Sequence, residues 1–253
     1  MKKRTVAVVM AAAMTIGMMV TGVSVQAGVE DKTLIVGFDA EYPPFGYKDD
    51  NGEYVGFDLD LAQEVCDNLG WELVKKPINW DSKDMELNSG TIDCIWNGFT
   101  INGREDDYTW SDPYINNEQV IVVAKDSEIE KLADLKGKKA AQSLTSNFGK
   151  LAQAAGAELV ATDGFNQSVE LVLSGRADAT INDSISFLDF KKHKPDAPLK
   201  IAATQDNADH AAVLLAKGQP ELLAAINEAL ASAQQDGTYL QISHKYFGAD
   251  VSK

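Results

Sequence analysis

The sequence predicts an α/β protein built as two similar lobes. Three observations carry this. Short apolar runs alternate with amphipathic segments along the chain, the order that makes layered α/β folds. The βαβ pattern occurs twice, once on each side of residue 118. With 253 residues, 45% apolar and 24% charged, the chain has enough apolar surface for two cores.

The first 27 residues read as a secretory signal and stand outside the fold. Lys2, Lys3 and Arg4 precede the apolar run 6–20, and Val25-Gln26-Ala27 forms a cleavage pattern. The run is shorter than the ~20 residues of a spanning helix. No cysteine lies near the cleavage point to carry a lipid. An exported protein is therefore expected, periplasmic, cell-surface or secreted, with no stable membrane insertion after cleavage.

Residues 34–38 form a short apolar run, the mark of a buried strand. Tyr42-Pro43-Pro44-Phe45 stops it, and Asp49-Asp50-Asn51-Gly52 reads as a hairpin tip. Residues 56–69 follow as a helix: Leu61, Val65 and Leu69 recur every four residues, with Ala62 and Cys66 widening that face. Asp58 and Asp60 suit its start, where free N–H groups and the dipole favour negative charge, and Gly70 closes it. Strands are expected at 71–74 and 92–96, with a short helix at 80–89 between them.

The second set opens with a strand at 119–124 and continues with a short turn or helix at 132–137. A strand at 139–141 leads to Thr145-Ser146, a helix N-terminus, and the helix runs to about Ala155. Strands are expected at 158–161, 177–181 and 211–215, and helices at 168–174 and 220–235; residues 239–246 close the chain. Pro220 suits the first turn of the 220–235 helix.

The loop Gly98-Phe99-Thr100-Ile101-Asn102-Gly103-Arg104 carries the chemistry. Arg is planar, permanently charged and forked, so it can grip a carboxylate through two parallel hydrogen bonds. Asp39 and Asp183 lie just past the ends of other apolar strands. One guanidinium and two carboxylates at strand ends suit a zwitterion, a free α-amino acid. Local alternatives exist: Arg104 pairing with Asp106 or Asp107 on the surface, and Asp183 capping a turn.

Losing the leader takes the formal charge from −15 to −18. Such a surface repels nucleic acid and anionic lipid, so neither is an expected partner. Export permits a disulfide between Cys66 and Cys94, but a helix position and a core-strand position favour two buried thiols. His193, His210 and His244 are scattered without ligand spacing, so no metal site is expected.

The stretch Gly56-Phe57-Asp58-Leu59-Asp60-Leu61-Ala62-Gln63-Glu64-Val65-Cys66-Asp67-Asn68-Leu69 resembles the signature of the family 3 extracellular solute-binding proteins at all fourteen positions. These are the polar amino-acid receptors of ABC importers. The likeness continues through Pro44-Phe45, the Arg104 loop, Ser111-Asp112-Pro113-Tyr114, Leu135-Lys136-Gly137, Thr145-Ser146, and Gly175-Arg176-Ala177-Asp178-Ala179.

The resemblance implies a type II periplasmic-binding-protein-like fold, two α/β lobes joined by a two-strand hinge. Lobe one would hold 28–114 and 212–253, and lobe two 118–208. Hinges would fall near 114–117 and 209–211. Arg104 would bind the ligand carboxylate, helped by Thr100, with Gly98 allowing close backbone approach. Thr145 and Ser146 would supply N–H groups from lobe two. Asp183 would pair with the ammonium, and Asp39 would face the ammonium or the side chain. Tyr42, Phe45 and Trp80 would wall the pocket. The family usually has one more residue, with a second hydroxyl, between Thr100 and Arg104; here the gap is Ile101-Asn102-Gly103, and Asn102 stands where it could substitute.

These readings imply a monomeric receptor that hands a free L-amino acid to the outer face of an ABC permease, with no catalytic residue and no cofactor. A neutral polar ligand such as glutamine, or cystine, is preferred, because Asn97, Asn182 and Gln142 could bond an uncharged side chain; Asp39 and Glu41 leave a basic one open. The alternatives are a same-fold dehydratase acting on arogenate or prephenate, with Asp39 or Glu41 as acid or base, and a ligand-sensing domain. A sensor would bring a membrane span or further domain after the last helix, and none is expected.

Overall fold

The computed structural model describes residues 31–252, so the expected secretory signal at 1–27 lies outside the described residues. Two five-stranded sheets form the two lobes. In the first, β1 (Thr33–Phe38) lies between β5 (Glu72–Pro77) and β6 (Cys94–Ile95), parallel to both; β13 (Leu214–Leu215) and β7 (Thr109–Trp110) extend it antiparallel. In the second the order is β10 (Glu158–Ala161), β9 (Lys139–Gln142), β11 (Ala179–Asp183), β8 (Ile115–Ala124) and β12 (Leu199–Ala211). A small hairpin sheet of β2 (Glu41–Tyr42), β3 (Gly46–Lys48) and β4 (Tyr54–Val55) stands beside the first lobe.

Helix α1 (Phe57–Leu69) buries Leu61, Val65 and Cys66 against β1 and against α6 (Pro220–Asp236) and α7 (Thr238–Phe247). Its first N–H groups are taken by the carbonyls of Pro44 and Phe45, at 2.8 and 3.1 Å, so the hairpin turn caps the helix. Gly56 makes this approach possible. Its φ is 147°, and a Cβ there would lie 2.1 Å from the Phe45 oxygen.

In the second lobe β8 is buried on both faces. Val120 and Val122 meet Phe165, Val169 and Phe187 from α4 (Phe165–Leu173) and α5 (Ser184–His193). Ile121 and Val123 meet Ala140, Ala152 and Ile181, with Ala152 on α3 (Asn147–Ala154). Among the described residues, two strands, β8 and β12, carry the chain between the lobes. They run antiparallel side by side, with Ala211 opposite Ile115 and His210 opposite Asn116.

Sequence reasoning missed α5 and most of β12, and it gave the closing segment, here α7, no element type. The expected helix at 80–89 is a 3-10 turn, Trp80–Ser82, followed by α2 (Lys83–Asn88). Cys66 and Cys94 are both free and buried, which decides between the two readings in favour of thiols.

Candidate functional site

The site lies between the C-terminal ends of β1 and β6 on one lobe and of β9 and β11 on the other. Crevices outside strand ends are where open α/β sheets bind ligands. The space between the lobes is a cleft of about 570 Å³, counting the part open to solvent. From the first lobe Asp39, Tyr42, Trp80, Gly98, Thr100 and Arg104 line it. From the second come Gln142, Ser146, Phe148, Phe165, Ser168 and Asn182.

Arg104 is 7% exposed. Its guanidinium lies over the ring of Phe99, 3.9 Å from carbon to centroid, and one Nη donates to the Thr100 carbonyl at 2.5 Å. The ring supports a flat cation through its π face. The same loop is sewn to the end of β12: Ile101 N–H donates to the His210 carbonyl at 2.9 Å and Ala212 N–H to that of Phe99 at 3.1 Å. Asn102, expected to replace a missing hydroxyl toward the ligand, accepts from the His210 N–H at 3.1 Å.

Gly98 turns the chain into this loop with φ 56°, a conformation that favours glycine. Its N–H is bound by the carboxylate of Asp58. Asp58 is fully buried, and burial pushes its carboxyl up to about 8, against the opposing pull of Tyr114 and the Gly98 N–H. The sequence places Asp58 only at a helix start; the structure also makes it the brace of the Arg104 loop. Asp60, assigned the same role, accepts from Lys245 at 2.6 Å and Tyr246 at 2.8 Å.

Asp39 accepts from the Glu41 N–H at 2.8 Å, while its own N–H donates to Asn97 Oδ1 at 2.8 Å. Burial raises its carboxyl to about 6; the Glu41 N–H opposes this, and the charges of Glu41 and Asp163 add to it. Ser146 caps α3, accepting from the Gly149 N–H at 2.9 Å, and lies in the cleft wall. Gln142 and Asn182 both donate to Thr180 Oγ1, at 3.2 and 2.7 Å, so their carboxamides are fixed in the floor.

Three expected ligand residues stand behind the lining. Phe45 is 1% exposed and packs beneath Gly98 and Tyr42. Asp183 is buried and accepts from the Tyr42 hydroxyl across the lobes. Thr145 lies at the seam, its hydroxyl bonded to Asp81 and Lys83 of the opposite lobe. Among the described residues no cluster of metal-ligating side chains occurs, and no helix is long and apolar enough to cross a membrane.

Two lobes, two crossing strands and a polar cleft with a stacked Arg define a type II solute-binding protein. The chain belongs to the bacterial extracellular solute-binding proteins, family 3, whose profile matches residues 34–249. A probable amino-acid ABC transporter-binding protein of Haemophilus influenzae is 39% identical over 224 residues, 88% of this chain and 87% of that protein. Among solved structures, an ancestral arginine-binding protein bound to arginine is 39% identical, with a TM-score of 0.80 over 86% of this chain and 99% of that one. The L-cystine solute receptor of Neisseria gonorrhoeae in its unliganded open form is 37% identical, with a TM-score of 0.59 over 89% and 98%. The better fit to the bound protein agrees with the Tyr42–Asp183 and Thr145–Asp81 contacts, which need the lobes together.

Proposed function

We propose that this protein is an extracytoplasmic receptor that holds a free L-amino acid in the interlobe cleft and delivers it to an ABC importer. The observation that carries this is Arg104, buried, stacked on Phe99 and opening into the cleft. It would take the α-carboxylate, with Thr100 beside it and the N-terminus of α3 opposite. The α-ammonium would sit between Asp39 and Asp183, with Asp183, now behind the lining on the Tyr42 hydroxyl, turning to it on binding. One ligand would then touch both lobes, and those differential contacts make closure favourable. The hinge would fall where β8 and β12 cross between the lobes, near 114–117 and 209–211. Lobe one would be 28–114 with 212–253, and lobe two 118–208.

The preferred ligand is L-cystine. The amides of Gln142 and Asn182 suit a polar, uncharged side chain, and the L-cystine receptor of N. gonorrhoeae is among the relatives. A thermal-shift panel of the L-amino acids with L-cystine tests this, because a ligand bound only by the native state raises the midpoint. A rise with L-cystine above the rest supports the assignment; a rise with L-arginine alone replaces it.

One observation favours a second reading. A partly buried carboxyl with its pKa near 6, Asp39, is suited to general acid chemistry. Incubation with arogenate and assay for phenylalanine tests it; no product leaves the receptor.

A further inference from the structure

We propose that Lys83, with Asp81, is a latch that holds the cleft shut and governs how long a ligand stays, without touching that ligand. Both sit on the first lobe just after Trp80. Asn79 fixes the turn by accepting from the Asp81 N–H at 2.9 Å. Asp81 Oδ1 accepts from the hydroxyls of Thr145 at 2.8 Å and Ser143 at 3.2 Å, both in the second-lobe turn before α3. Lys83 Nζ donates to the same Thr145 oxygen at 3.1 Å and to the Trp80 carbonyl at 3.4 Å. Thr145 therefore donates to an anion and accepts from a cation of the opposite lobe at once, a polarised chain stronger than neutral bonds.

The two partners differ in weight. Asp81 lies exposed at the rim, where charged contacts contribute little. The Lys83 side chain is 3% exposed. A buried ammonium is costly unless it is hydrogen-bonded, and one of its partners here belongs to the other lobe. Asp84 and Asp81 oppose the effect of burial on Lys83, while Arg104 and Lys150 reinforce it. An anion seated at Arg104 would offset that like-charge repulsion in the closed state, so the latch and the ligand carboxylate favour closure together.

This rests on the cleft opening and closing, not on which amino acid enters it. The test measures the distance between nitroxide labels at Asn68→Cys and Gln153→Cys, both exposed positions on opposite lobes, in the ligand-free protein. Lys83→Met is expected to deplete the short-distance population, Asp81→Asn to do so less, and Lys83→Arg to retain most of it. With L-cystine as probe in stopped flow, Lys83→Met is expected to raise the dissociation rate about tenfold, leaving association within about twofold. The unfolding midpoint separates this from loss of fold. A distance distribution and a dissociation rate unchanged in Lys83→Met overturn the latch. If L-cystine does not bind, the ligand-free distances decide alone, so failure of the ligand assignment is distinguishable from failure of the latch.

Discussion

Arg104 and Phe99 are stacked with 3.9 Å between the guanidinium carbon and the ring centroid, and the ring leans in turn on Trp80, 5.1 Å away. The cation is thus oriented before any ligand arrives. Preorganisation of this kind lowers the ordering cost of binding.

Removal of that cation is expected to abolish tight binding. Arg104→Ala should lose at least about 3 kcal/mol, because a desolvated carboxylate would be left without its partner. Arg104→Lys should recover only part of this, since an ammonium lacks the planar fork. Calorimetric affinities equal to wild type in both variants would remove Arg104 from the site.

Binding is expected to weaken in acid. Burial raises the Asp39 carboxyl to about 6. An ammonium beside it favours the carboxylate, so binding below that pH expels a proton. Affinity should rise with pH through about 6 and then level off, with roughly a tenfold loss at pH 5. Calorimetry at pH 6 in buffers of different ionisation enthalpy reads the released proton directly, and Asp39→Asn should abolish it.

Asp58 acts on stability with an unusual sign. Its folded pKa, about 8, exceeds the unfolded value of about 3.9. Between those values the folded chain keeps a proton that the unfolded chain has lost. The Asp58 contribution to stability therefore falls as pH rises from about 4 to about 8. Urea unfolding across that window should show a shallower decline in Asp58→Asn than in wild type.

The thiols are expected to be inert in the native protein. Cys66 and Cys94 are both 0% exposed, and burial pushes the Cys66 thiol up to about 12 and Cys94 higher than usual. An aromatic disulfide reagent at pH 8 should react slowly with the folded chain and titrate two thiols once it is denatured. No thiol released on denaturation would mean a bridge.

Gly98→Ala should destabilise the fold by roughly 1–2 kcal/mol, the cost of a left-handed residue with a Cβ, and weaken binding as well. The added carbon would lie 3.2 Å from the Phe45 ring. A chemical denaturation midpoint and a ligand titration on the same sample check both.

Local pattern made much of this molecule legible. The βα order, α1 with its apolar face and Gly70, and the Arg104 loop all follow from spacing within a few residues. What was missed depends on distant partners. Helix α5 holds Ile185, Phe187, Leu188 and Phe190, but Leu188 is 60% exposed, so the period is blurred. Strand β12 includes the polar run Thr204-Gln205-Asp206-Asn207, and its pairing with β8, broken by two register shifts, defines it. Asp58 and Lys83 look like surface charges at helix starts; neighbours far along the chain bury them.

The two lobes are proposed to grip opposite ends of one zwitterion. A crystal structure with whichever amino acid gives the largest thermal shift tests it most directly. The expected structure has the α-carboxylate within hydrogen-bond distance of the Arg104 guanidinium and the α-ammonium between Asp39 and Asp183. A ligand held by one lobe alone, or with its carboxylate away from Arg104, would contradict it.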